Sequence, residues 1–231
     1  LNCEPSEIAI GQSATSMWQA AFGCFEFHEG DRILTARAEY ASNAIAYLQT
    51  CERTGAVVEF VPCDERGQLD AAELERMIVD ETKGPVKLVS VTHVPTSGGL
   101  VNPAAAIGAV TQKHGIPYLL DACQSVGQMP VDVEEIGCDL LVGTGRKYLR
   151  GPRGVGTFNS FNSRMGNCTD GVFCFNSHRV PLRERRVCGK DGRAARDARP
   201  ARRQVGLLGH LRPRPGRDAF RSKLPALQKR L

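Results

Sequence analysis

The sequence predicts an α/β fold, a mainly parallel sheet flanked by helices, and three observations carry that prediction. Across residues 8–158, short apolar runs alternate with amphipathic stretches, the pattern of repeated βα units. The apolar runs are brief and rich in β-branched residues, which favours strands over helices. A chain of 231 residues with 42% hydrophobic content is also long enough to bury the core of one large domain.

The elements follow in order. Strands are expected at residues 8–11, 32–35, 57–61, 86–92, 118–121, 138–142 and 154–158. Met17, Trp18, Ala21, Phe22 and Phe25 recur at helical spacing, so residues 13–27 read as a helix with a buried face. Asp70 is placed to cap a second helix over residues 70–79, with Glu73 three positions on as its capping-box partner. A third helix opens at Asn102-Pro103, since proline suits a first helical turn, and closes at His114-Gly115.

Beyond Phe158 the character changes. Residues 159–176 are polar and glycine-spotted, and from Arg179 onward arginine, proline and glycine dominate without periodicity. The chain therefore divides into a domain over residues 1–158 and an irregular, arginine-rich tail over residues 159–231, expected to be disordered or an aberrant continuation such as a shifted reading frame. It opens at Leu1 and reaches the apolar run Ile8-Ala9-Ile10 almost at once, so the domain is expected to be incomplete.

Composition narrows the class. Nine cysteines without regular spacing, and no secretory segment, point to a reducing, cytoplasmic setting. No run approaches the roughly 18 apolar residues of a membrane span. The formal charge of +5 gathers in the tail, where aromatic stackers are scarce and no binding fold accompanies the arginines, so a nucleic-acid partner is not expected.

Three segments carry candidate chemistry. Gly11-Gln12-Ser13-Ala14-Thr15 lies at a strand-to-helix junction, where backbone N–H groups and the helix dipole favour phosphate; by itself it reads equally as an ordinary Ser/Thr cap. Tyr118-Leu119-Leu120-Asp121-Ala122-Cys123-Gln124-Ser125 is an apolar strand ending in a carboxylate, and ligands of parallel sheets gather beyond carboxyl ends. Asp121 as a helix cap is the competing reading. In the third, Lys147 follows a buried strand and sits among glycines that allow close backbone approach, a place for an imine-forming amine, although a lone lysine is usually a solvated charge. A dinucleotide reading of Gly143-Thr144-Gly145 fails, because the glycine spacing is wrong and another strand follows at once.

Taken together, these segments resemble the class V aminotransferase and cysteine desulfurase family of pyridoxal-phosphate (PLP) enzymes. Asp121-Ala122-Cys123-Gln124-Ser125 is similar to its D-A-x-Q-S segment. Thr144-Gly145-Arg146-Lys147 and Gly151-Pro152-Arg153-Gly154-Val155-Gly156 are similar to its S/T-x-H/R-K and G-P-x-G-x-G pair. The resemblance implies a partial, large PLP-binding domain of fold type I, like that of aspartate aminotransferase. It implies PLP held by Lys147 as an imine, with Asp121 at the pyridine nitrogen and Gln124 at the phenolic oxygen. Ala14, Thr15, Thr144 and Arg146 would hold phosphate, and no metal is implied. Tyr40, in Glu39-Tyr40-Ala41-Ser42-Asn43, stands where a ring-stacking histidine is usual in desulfurases, and Thr96 where asparagine is common. The implied activity is on an amino acid, by C–S lyase, cysteine desulfurase or aminotransferase chemistry, in a homodimer. The alternative is an inactive, truncated remnant that pairs with a full-length relative. His93 reads as a strand-end packing residue and Cys123 as packing rather than a nucleophile. The desulfurase reaction would also need a mobile cysteine from the family's later half, and Cys168, Cys174 and Cys188 lie in the unrelated tail.

Overall fold

The computed structural model describes residues 1–160. After a 3-10 turn at Pro5–Glu7, seven strands form one sheet: β1 (Ile8–Gly11), β2 (Arg32–Thr35), β3 (Val57–Phe60), β4 (Val86–Thr92), β5 (Tyr118–Asp121), β6 (Leu140–Thr144) and β7 (Gly156–Ser160). Their spatial order is β1-β7-β6-β5-β4-β2-β3. All neighbours from β3 to β6 are parallel. β7 is antiparallel to both β6 and β1, so β1 runs in the direction of the parallel set. The carboxyl ends of β1, β2, β4, β5 and β6 therefore share one rim, and β7 starts from it.

Both faces of the sheet are covered, which is why the central strands read as near-continuous apolar runs. In β5, Tyr118 and Leu120 enter one core with Leu34, Val89, Val91, Leu74 and Ile107. Leu119 enters the other, with Trp18, Phe22, Ile33, Tyr47, Leu88 and Val142. Helices α1 (Ala14–Gly23) and α2 (Ala41–Thr54) pack together, as do α3 (Ala71–Ile78), α4 (Ala104–His114) and α5 (Val133–Ile136).

Several boundaries differ from those the sequence predicts, each for a local reason. Helix α1 ends at Gly23 rather than residue 27, because Phe27 folds back to lie 5.3 Å, centroid to centroid, from Phe22. Asp70 does cap α3, accepting from the N–H groups of Ala72 and Glu73, but Glu73 pairs with Arg76 instead of closing a capping box. Strand β6 starts two residues later than expected and runs on through Gly143 to Thr144. A Cβ at Gly143 would crowd the Thr157 hydroxyl across the β6–β7 pair, so the glycine permits the pairing. Strand β7 is likewise displaced, to Gly156–Ser160. The expectations for residues 161–231, including the tail and its cysteines, lie outside the described residues.

Among the described residues no helix is long and apolar enough to cross a membrane. Helix α2 is an element that hydrophobic periodicity did not mark. Its buried face is Asn43, Tyr47 and Thr50, a helical spacing of largely polar residues.

Candidate active site

The shared rim of carboxyl ends opens on a cleft. Each strand end delivers one part of its wall. From β1 the chain turns into α1, whose first intrahelical backbone bond is from Met17 N–H to the Ser13 carbonyl. Ser13 Oγ caps the N–H of Ser16 at 3.1 Å, so that hydroxyl is already engaged; the amides of Ala14 and Thr15 belong to the unpaired first turn, and both residues line the cleft. A Cβ at Gly156 would overlap the Ser13 carbonyl, so glycine in β7 is what lets the start of α1 lie directly on the sheet.

From beyond β2 comes Tyr40; from β4, Val94 and Thr96; from β5, Cys123 and Gln124. From β6 come Thr144, Arg146 and Lys147. The Lys147 loop is tightly drawn: Gly145 N–H donates to Val155 O at 3.0 Å and Gly151 N–H to Gly145 O at 2.6 Å. Gly127 packs against the backbone of Tyr148 and Leu149 with φ of 84° at the loop's Gly154 and 83° at Gly127 itself, positions suited to glycine.

All nine residues implied by the sequence resemblance line this one cleft: Ala14, Thr15, Tyr40, Thr96, Asp121, Gln124, Thr144, Arg146 and Lys147. Lys147 and Asp121 thus face a common space rather than separate pockets. The Cys123 thiol reports the same proximity: burial and the Asp121 carboxylate raise its pKa, while the Lys147 and Arg146 charges oppose the rise. A thiol so raised is not a nucleophile at neutral pH. His93 is not among the lining residues. It is 5% exposed, burial lowers its pKa, and its backbone N–H bonds Asp121 O at 2.9 Å, as fits a packing residue.

The Asp121 carboxylate is buried and doubly held. Oδ1 accepts from Cys123 N–H and Oδ2 from Asn43 Nδ2, each at 3.0 Å. Asn43 also donates to Glu39 at 3.0 Å. Burial pushes the Glu39 carboxyl from its ordinary 4.5 up to about 7; hydrogen bonds from Thr92 and Tyr40 pull it back, and the Asp121 charge adds to the rise. In the 39–43 segment the sequence motif marks only Tyr40. The signal it passed over is that Glu39 and Asn43, four apart, flank the helix start and so can meet. Trp18 also lines the cleft, and its buried indole N–H has no partner among the described residues.

The donor set fits a small, flat, phosphorylated aldehyde. Helix-start amides, a threonine hydroxyl and an arginine suit phosphate, a lysine amine suits a carbonyl, and a buried carboxylate suits a ring N–H.

A family model described as aminotransferase class-V matches residues 1–161. The chain belongs to the aminotransferase class-V family. Class-V relatives include a probable cysteine desulfurase of Synechocystis sp., 35% identical over 155 residues, a match covering 66% of this chain and 36% of that protein. The apo structure of cysteine desulfurase from Thermococcus onnurineus NA1 superposes with a TM-score of 0.63 at 27% identity, covering 68% of this chain and 39% of that one. A mutant of C-DES with glycine covalently linked to its PLP cofactor gives 0.62 at 27% identity, covering 69% and 42%. The sheet is thus that of fold type I class-V enzymes, as the sequence implied. The chain spans little more than a third of the length of the curated relatives it matches.

Proposed function

We propose that this chain is the cofactor-bearing part of a PLP-dependent enzyme that acts on an amino acid, with C–S bond cleavage of a cysteine-like substrate as its chemistry. The observation that carries the proposal is the convergence of Lys147 and Asp121 on one cleft that Ala14, Thr15, Thr144 and Arg146, groups suited to phosphate, also line. Bound there, PLP supplies an electron sink for charge released at the substrate's Cα. The remaining work belongs to the chain. Lys147 provides the amine that attaches the cofactor and then moves a proton at Cα. Asp121 would lie at the pyridine nitrogen and favour its protonated form. Ala14, Thr15, Thr144 and Arg146 would hold the phosphate, Tyr40 would stack on the ring, and Gln124 and Thr96 would bond its phenolic oxygen.

Residues 1–158 form this domain in our reading, and the protein works as a homodimer in the cytoplasm. Cys51, Cys63, Cys123 and Cys138 are free thiols, in keeping with a reducing compartment.

The test is chemical. Protein mixed with PLP is expected to develop absorbance near the visible edge, and borohydride to fix the label on Lys147 as read by peptide mapping. Lys147→Ala should abolish both. Labelling of another lysine, or none, would defeat the assignment.

A further inference from the structure

Behind Asp121 stands a second carboxyl that the reaction as proposed does not use. Glu39 Oε2 accepts from Thr35 Oγ1 at 3.0 Å and from Thr92 N–H at 3.2 Å. Its Oε1 accepts from Tyr40 N–H at 2.7 Å, from Asn43 Nδ2 at 3.0 Å, and from Thr92 Oγ1. Three elements, β2, β4 and the start of α2, are thereby tied to one side chain. Asn43 is 2% exposed and gives its two amide hydrogens to two carboxyls, one on Glu39 and one on Asp121.

A side-chain NH₂ donates and cannot accept, so it stabilises whichever carboxylate it faces as an anion. An aspartate held only through Oδ1 could still turn about its terminal torsion, which is soft. The bond from Asn43 to Oδ2 fixes the plane. Asn43 is in turn kept from rotating by Glu39, whose carboxyl is anchored on both oxygens.

We propose that Asn43, braced by Glu39, is the positioning residue that fixes the plane and the acceptor state of Asp121 toward the cleft. The inference rests on the reading of the cleft as a PLP site, and it adds a layer that joins the acid beneath the ring nitrogen to the backbone that carries Tyr40. Burial raises the pKa of Glu39, and the nearby Asp121 charge adds to the rise, as two carboxyls joined through one amide should show. The titratable groups that interact with this pair are Tyr47 from α2, Tyr118 from β5 and Cys123 from the β5 end.

The experiment is ¹⁵N NMR of the full chain loaded with PLP labelled at the pyridine nitrogen, read beside PLP affinity and thermal melting. The wild type should show a protonated nitrogen. Asn43→Ala and the isosteric Asn43→Asp should move the signal toward the neutral position and weaken PLP binding about ten-fold. Glu39→Gln, which keeps an acceptor for Asn43, should weaken it less than about three-fold. Asn43→Asp preserves volume, so it serves if the alanine variant does not fold. A folded Asn43→Asp protein with the wild-type ¹⁵N signal and affinity overturns the positioning role, whatever its melting temperature, since a merely structural role would move only the melt. Failure of borohydride to label Lys147 in the wild type would instead sink the underlying reading, and the two results are separately visible.

Discussion

The two ends of the sheet carry charged side chains of the same types and use them in opposite ways. At the amino end, Arg32 opens β2 and is 2% exposed; its Nε donates to Glu59 at 2.7 Å and its Nη1 to the Met77 carbonyl at 2.9 Å, and Lys83 reaches the same glutamate at 2.8 Å. Asp139, just before β6, accepts from Tyr118 N–H at 2.8 Å. At the carboxyl end, Asp121, Gln124, Arg146 and Lys147 border an open cleft. Asp121 and Asp139 sit at opposite ends of the neighbouring strands β5 and β6, both buried, one turned to the cleft and one bound into the chain. Strand direction, rather than residue type, separates charge that holds the fold from charge that borders the cleft.

That contrast can be broken experimentally, most heavily at the amino end. Arg32→Ala strips Glu59 of its buried partner and leaves the Met77 carbonyl unmet, so we expect a loss of about 3–5 kcal/mol in urea unfolding. A loss below about 1 kcal/mol would mean the amino-end pair is not a clamp. Glu39 offers the next largest effect, and it depends on pH. Its folded pKa of about 7 lies above the ordinary 4.5, so the folded state holds a proton that the unfolded state has released. Stability from this group is full below pH 4.5, declines as pH rises, and is gone above pH 7, a swing on the order of 3 kcal/mol. His93 runs the other way: burial lowers its pKa, so its contribution is present above its ordinary 6.5 and lost as pH falls. Glu39→Gln should therefore flatten the decline between pH 4.5 and 7 and leave stability that rises with pH near 6.5. An unchanged pH–stability curve would remove Glu39 from the account.

A smaller effect comes from exchanging the two aspartates' roles in turn. Asp139→Asn should cost about 1–2 kcal/mol of stability and leave PLP labelling intact, because it weakens an acceptor for a buried N–H. Asp121→Asn should change melting by less and cofactor binding by more; the reverse ranking would erase the distinction between the ends. Least of all, Asp70→Ala removes the α3 cap and should cost about 1 kcal/mol without touching PLP binding, a control for remote destabilisation.

Legibility in the sequence followed the same division. The strands were readable because both of their faces are apolar, and Gly115 was readable as a helix stop because it adopts φ of 68° there. Helix α2 was not, since its buried side is polar: Asn43 and Thr50 lie inward for reasons that hydrophobic periodicity cannot express. Lys147, Asp121 and Gln124 were recognisable from local motifs. Glu39 and Thr92 were not, because they acquire meaning only by meeting across β2 and β4.

The order of residues by itself determined which segments become strands and which groups stand at strand ends. Only the tertiary structure decided that β7 turns back antiparallel between β6 and β1, setting the start of α1 beside the Lys147 loop, and that one amide joins Glu39 to Asp121. The reason is range: apolar periodicity and turn chemistry act over a few residues, whereas hydrogen-bond partners 78 positions apart in the chain are chosen by the packing of the whole sheet.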